Sequence, residues 1–123
     1  MTTILLACDD DDLIAEIDAA LVDRDTQVAV VRAGRDVLGA VGEVDPDLVL
    51  LDLQIGNMGG MATCRNLRLE AGAGRIDDQR IVLLLDRDAD AFLAESAEAD
   101  AHLVKPLDSL GLQHVVAELL APT

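Results

Sequence analysis

Aromatic side chains are nearly missing from this chain: Phe92 stands alone among 123 residues, with no Trp or Tyr. Readers of single-stranded nucleic acid that stack bases on exposed rings are thereby disfavoured, and so are carriers that stack a flavin. Basic residues are also scarce, at 9 Lys and Arg against 24 Asp and Glu, which leaves a formal net charge of -15. Lys105 is the sole lysine. Phosphate backbones and anionic lipid surfaces call for the opposite sign, so neither direct nucleic-acid binding nor membrane binding is expected. Cys8 and Cys64 lie far apart, and no close pair of Cys or His exists to frame a disulfide scaffold or a zinc site. A reducing, cytoplasmic setting is the expectation. Apolar runs such as Ile81 to Leu85 fall far short of the ~20 residues a membrane helix needs. The start lacks the basic region that would precede Ile4 to Ala7 in a signal peptide.

What is present is aliphatic. A hydrophobic fraction of 51% suffices for one continuous core, and the length suits one domain over residues 1–123. Short apolar runs recur at Ile4 to Cys8, Gln27 to Val31, Leu48 to Leu51, Ile81 to Leu85 and Ala101 to Val104. Their hydrophobicity is continuous rather than alternating, which marks strands covered on both faces and hence a parallel sheet. Helical spacing appears between them. Leu13, Ile14, Ile17, Leu21 and Val22 form a first stripe behind an acidic turn. Val37, Leu38, Val41 and Val44 form a second, closed by Pro46, and Met61, Cys64, Leu67 and Leu69 a third, stopped by Gly72 to Gly74. A fourth helix is expected from Asp90 to Ala97 and a fifth from Leu107 to Leu120. The order is (βα)5, an open α/β fold with a doubly wound, five-stranded parallel sheet.

In such sheets the functional crevice lies at the carboxyl ends of the strands, where the strand order reverses. Asp9 to Asp12 follow the first run, Asp52 the third, Asp86 the fourth and Lys105 the fifth. Carboxylates gathered there repel one another by ~1 to 4 kcal/mol per pair at ~4 Å, depending on the dielectric. Magnesium is the natural counter-charge, because it takes hard oxygen ligands and keeps several waters. A lysine in the same crevice would add a second positive charge. Together they suit a phosphoryl group transferred to an aspartate in line.

Three segments carry a more specific likeness. Pro46-Asp47-Leu48-Val49-Leu50-Leu51-Asp52-Leu53, continuing through Met58-Gly59-Gly60 to Cys64-Arg65-Asn66-Leu67-Arg68, resembles the third strand and helix of response-regulator receiver domains. Ile4-Leu5-Leu6-Ala7-Cys8-Asp9-Asp10 resembles that family's first strand and acidic pocket, and Ala97 to Leu107 its fifth strand, ending in Lys105-Pro106. The resemblance covers essentially the whole chain and implies a flavodoxin-like receiver fold, in a signalling domain of a two-component system rather than an enzyme. It further implies that Asp52 receives a phosphoryl group from a histidine kinase with Mg2+ bound, that the Gln54 carbonyl completes the metal site, and that Lys105 contacts the phosphoryl oxygens. A cis Lys105-Pro106 bond is also implied. A downstream protein or an output domain outside this chain would read the signal, and a homodimer is compatible with it.

Four positions depart from the family pattern. A gapless alignment puts Cys8 on the first acid of the metal pair and Asp9 on the second, whereas sliding by one residue makes the pair Asp9 and Asp10. Asp11 and Asp12 read as a solvated helix cap, and both cysteines as space-filling. Asp86 stands where a Thr or Ser hydroxyl usually ends the fourth strand; a carboxylate there cannot donate a hydrogen bond and would repel a phosphoryl group. It could instead cap the next helix. His102 takes the aromatic switch position, and Gly56 replaces a proline in the loop after Asp52. These changes leave two readings open, a phosphorylated switch with altered coupling at Asp86 and His102, or a pseudo-receiver that binds partners without phosphate. An aspartyl-phosphate hydrolase is a poor third, because Asp52-Leu53-Gln54 lacks a second acid two residues on.

Overall fold

A computed structural model describes residues 1–121 of the chain. Five parallel strands, β1 (Thr2–Ala7), β2 (Thr26–Val31), β3 (Leu48–Asp52), β4 (Ile81–Leu85) and β5 (Ala101–Val104), form one sheet in the order β2-β1-β3-β4-β5. The helices α1 (Asp11–Leu21), α2 (Val37–Val44), α3 (Gly60–Gly72), α4 (Ala91–Ser96) and α5 (Ser109–Leu120) alternate with them. The expected flavodoxin-like, doubly wound fold is the one observed.

Successive residues of a strand point to opposite faces, and the continuous apolar runs therefore feed two cores. Leu5, Ala7, Val49, Leu51, Leu83 and Leu85 pack on one face with Val37, Val41, Cys64 and Leu67. Ile4, Leu6, Leu48, Leu50, Val82 and Leu84 pack on the other with Leu13, Ile17, Leu112 and Val116. Each buried Leu or Ile contributes about 1.5–3 kcal/mol of transfer free energy, which is how an aliphatic chain without large rings sustains a core.

Local signals set the helix ends. Asp10 caps α1, its Oδ1 accepting from the backbone N–H groups of Asp12 at 3.0 Å and Leu13 at 3.4 Å. Asp108 caps α5 through an N–H···O bond from Gly111 at 3.1 Å, so that helix begins at Ser109 rather than Leu107. α2 ends where Asp45 turns left-handed at φ 50°, just before Pro46. Two stripe residues are misplaced by periodicity. Val22 lies beyond the end of α1 and is exposed, and Leu69 of α3 is 71% exposed.

From β1 the chain moves outward to β2 and then returns to the other side of β1 for β3. That reversal opens the crevice between β1 and β3. The register Ala7↔Leu51 brings the next residues, Cys8 and Asp52, side by side at its floor.

Candidate functional site

Asp52 closes β3 almost fully buried, at 2% exposure. Its Oδ1 accepts from the Gln54 backbone N–H at 3.1 Å and from Lys105 Nζ at 2.7 Å. A buried carboxylate needs such partners, because desolvation otherwise drives it neutral. Lys105 reaches the crevice from just past β5, and its bond to Pro106 is cis, as the resemblance implied. The register Leu85↔Val104 sets the following residues, Asp86 and Lys105, side by side, and Lys105 Nζ lies 3.0 Å from Asp86 Oδ1. One ammonium thus bridges two carboxylates. Burial alone would push that ammonium down, but hydrogen bonds to Asp52 and then Asp86 outweigh it and hold it above its ordinary value.

The acids after β1 divide by role. Asp9 turns across the crevice mouth, where its Oδ2 accepts from the Gly56 backbone N–H at 3.1 Å. Asp10 turns the other way into the cap of α1, so the structure does not bring it to Asp52. Asp11 pairs with Arg32 at 2.7 Å on the surface. Cys8 is fully buried and more than filler: its thiol lies 3.5 Å from Asp52 Oδ2 and 3.8 Å from the Asp10 carbonyl, and its one proton can serve either acceptor. Burial, with the nearby Asp52 charge adding to it, pushes the Cys8 thiol up to about 11, so it faces Asp52 as a neutral S–H. Of the two alignments, the one with Cys8 beside Asp9 describes the crevice floor.

Asp86 does not cap a helix. The short 3-10 turn Asp88–Asp90 that follows has no side-chain cap, and Asp86 is committed to Lys105. His102 sits on the edge strand β5 with its side chain exposed, away from these contacts.

Backbone supports lie around the site that sequence reasoning did not single out. A Cβ on Gly60 would meet the Asp52 carbonyl at 2.6 Å, so only glycine lets α3 begin so close to β3. A Cβ on Gly34 would meet the Met58 carbonyl at 1.8 Å. Gly34 and Arg35 donate backbone N–H groups to the carbonyls of Gly56 and Asn57, at 2.9 and 2.8 Å, and Thr63 Oγ1 donates to the Met58 carbonyl at 3.0 Å. These bonds hold the loop after Asp52, in which Asn57 and Met58 take positive φ of 52° and 80°. The Gly59-Gly60 pair was the available signal for a close approach.

Among the described residues no group of three or more His, Cys, Asp or Glu side chains stands ready to hold a metal. Magnesium asks for less, one or two carboxylates with water completing the shell. The hard oxygens of Asp9 and Asp52 are of the kind that demand calls for.

Fold and site together define a doubly wound α/β protein whose crevice gathers carboxylates around one ammonium. The response regulator receiver domain family model matches residues 4–117. The chain belongs to that family and is a receiver domain of the two-component response-regulator type. It is 32% identical over 109 residues to the transcriptional regulatory protein AfsQ1 of Streptomyces coelicolor, covering 87% of this chain and 46% of that protein. It is 36% identical over 105 residues to the DNA-binding response regulator MtrA of Mycobacterium tuberculosis, covering 83% of this chain and 43% of the relative. The chain therefore spans less than half the length of either. Among solved structures, the BeF3-activated receiver domain of RstA from Klebsiella pneumoniae superposes with a TM-score of 0.84 at 29% identity, over 98% of this chain and all of that one. The receiver domain of the sensor histidine kinase PA1611 from Pseudomonas aeruginosa, solved with magnesium in its active-site cleft, has a TM-score of 0.83 at 21% identity over 97% of each chain. The second likeness is one of fold. No helix among the described residues is long and apolar enough to cross a membrane.

Proposed function

We propose that Asp52 accepts a phosphoryl group from the phosphohistidine of a histidine kinase. The phosphorus–nitrogen bond breaks as a phosphorus–oxygen bond to the Asp52 carboxylate forms, and the imidazole leaves with the electron pair. The observation that carries this reading is Lys105 Nζ at 2.7 Å from a carboxylate that is otherwise sealed from solvent. A preorganised ammonium in a low-dielectric crevice can neutralise charge on the equatorial phosphoryl oxygens without rearranging. Asp9 and Asp52 would hold Mg2+ with the Gln54 carbonyl, and Asp10 is left to its cap. The ion, when bound, supplies charge neutralisation at the phosphoryl oxygens. Cys8 contributes a neutral S–H where a second acid would have added repulsion.

Loaded Asp52 would bias two arrangements of the α4 and β5 face, on which Asp86 begins the connection to α4 and His102 is exposed. A downstream protein or an output domain would read that face. With its charge of -15 the chain itself is an unsuitable DNA ligand, and contact with nucleic acid is assigned to other segments or partners.

The test is direct. Incubation with acetyl phosphate and Mg2+, followed by intact mass measurement, is expected to show one phosphoryl adduct that Asp52→Asn abolishes and EDTA suppresses. Absence of an adduct from both acetyl phosphate and a cognate kinase would refute the proposal. Partner binding unchanged by Asp52→Asn would favour the phosphate-independent module instead.

A further inference from the structure

Lys105 is the chain's one lysine, and it is held by two carboxylates. The two are not equivalent. Asp52 is sealed in the floor and has the Gln54 N–H as a second donor. Asp86 is 42% exposed in its side chain and, among the described residues, has only Lys105 as a side-chain partner. The neighbouring cation is committed elsewhere, since Arg87 forks onto Asp90 through Nη2 at 2.8 Å and Nε at 3.2 Å. An incoming phosphoryl group brings about -1.5 to -2 charges and needs the same ammonium. Asp86 therefore competes with it for Lys105, and having no proton to donate it offers the phosphoryl oxygens nothing in exchange.

We infer that Asp86 is a positioning residue for phosphoryl transfer, which holds a share of the Lys105 ammonium that an incoming phosphoryl group needs and so restrains the loading of Asp52. The inference rests on Asp52 being the phosphoacceptor. It also gives this crevice a way to register phosphorylation that differs from attracting a hydroxyl. Loading takes the ammonium from Asp86, and the released carboxylate, at the root of the segment leading to α4, moves outward to water.

The experiment compares the wild-type chain with Asp86→Asn and Asp86→Glu, loaded by acetyl phosphate at limiting concentration with Mg2+. The phosphoryl group leaves the acyl oxygen of the donor for Asp52 and acetate departs, so the adduct counts one transfer. Asp86→Asn is expected to load at least about fivefold faster, the scale of removing one charge about 4 Å away even under the screening of bulk water. Asp86→Glu keeps the charge and is expected to load at the wild-type rate. A second readout uses the lone lysine, whose ammonium gives a single side-chain NMR signal. In Mg2+-free buffer its hydrogen exchange is expected to be slow in wild type and Asp86→Glu and faster in Asp86→Asn.

Equal loading of wild type and Asp86→Asn overturns the inference while leaving Asp52 as acceptor. So does a lysine signal indifferent to Asp86→Asn. No adduct in the wild type or in either variant overturns the phosphoacceptor reading and this inference together, an outcome distinct from equal loading.

Discussion

Arg68 and Lys105 each serve one end of the sheet, and they are served differently. At the amino ends of β4 and β5, Arg68 donates from Nε to the Glu98 carbonyl at 2.9 Å, from Nη1 to the Gln79 carbonyl at 2.6 Å and from Nη2 to Asp100 Oδ2 at 2.9 Å. Asp100 in turn accepts from the Ile81 backbone N–H at 2.7 Å, so the ion pair also anchors the first residue of β4. At the carboxyl ends, Lys105 divides one charge between Asp52 and Asp86, and Asp9 has a backbone N–H. The first arrangement is matched charge for charge, with two carbonyls taking two more of the guanidinium's five N–H donors. The second carries more anion than its one cation can balance. A structural ion pair is finished on folding, whereas the crevice proposed to take a metal ion and a phosphoryl group is left unbalanced.

The largest expected effect falls at the matched end. Arg68→Met keeps the aliphatic stem but strands Asp100 and two carbonyls, and it is expected to lower unfolding free energy by about 2–4 kcal/mol. Urea denaturation followed by far-UV circular dichroism measures this as a lower midpoint. A loss under about 0.5 kcal/mol, the level of an ordinary surface change, would break the contrast between the two ends.

A second, smaller effect belongs to Cys64, which lies in the field of Arg68 and Asp100 and donates its S–H to the Ala97 carbonyl at 3.2 Å. Burial, the dominant cause, pushes its thiol from an ordinary 9.0 up to about 11. The folded state thus keeps the thiol neutral where the unfolded chain ionises. Stability from this group is complete below pH 9 and is lost as the pH rises through 11, a change of roughly 2 kcal/mol at ~1.4 kcal/mol per pH unit. Cys64→Ala is expected to flatten that alkaline slope, measured as the urea midpoint from pH 8 to 11.

Much of the fold was legible because strands buried on both faces leave unbroken apolar runs. Ile81–Leu85 and Ala101–Val104 are bounded in the structure as the runs predicted. The error at Leu69 has a geometric cause: Leu67 and Leu69 lie about 200° apart on a helix of 3.6 residues per turn, so one stripe cannot bury both. Within the site, strand ends announced Asp9, Asp52, Asp86 and Lys105, and all four are found at the carboxyl ends. What the sequence could not supply was their pairing. That Lys105 grips Asp86 depends on the register of β4 against β5, and that Cys8 meets Asp52 depends on β1 against β3. Register emerges from packing across the sheet, not from any one segment. Asp10 was ambiguous for a related reason, because an acid directly before a helix serves equally well as a cap or as a ligand until the turn is seen.

The smallest effect has the opposite sign and tests the unbalanced end. Asp9→Asn keeps an oxygen to accept from the Gly56 N–H and removes one negative charge from the crevice mouth. In low salt without Mg2+ it is expected to stabilise the fold by about 0.5 kcal/mol, since the exposed carboxylate contributes mutual repulsion and little else. Mg2+ should raise the wild-type melting temperature and have less effect on Asp9→Asn, because a ligand specific to the native state stabilises it in proportion to its affinity. Calorimetry with and without the ion checks both statements. If Asp9→Asn instead destabilised the metal-free protein, Asp9 would be a structural acid like Asp100, and the two ends of the sheet would not differ in kind. If it stabilised the apo state but left the Mg2+ increment intact, the crevice would be unbalanced for a reason other than metal binding at Asp9.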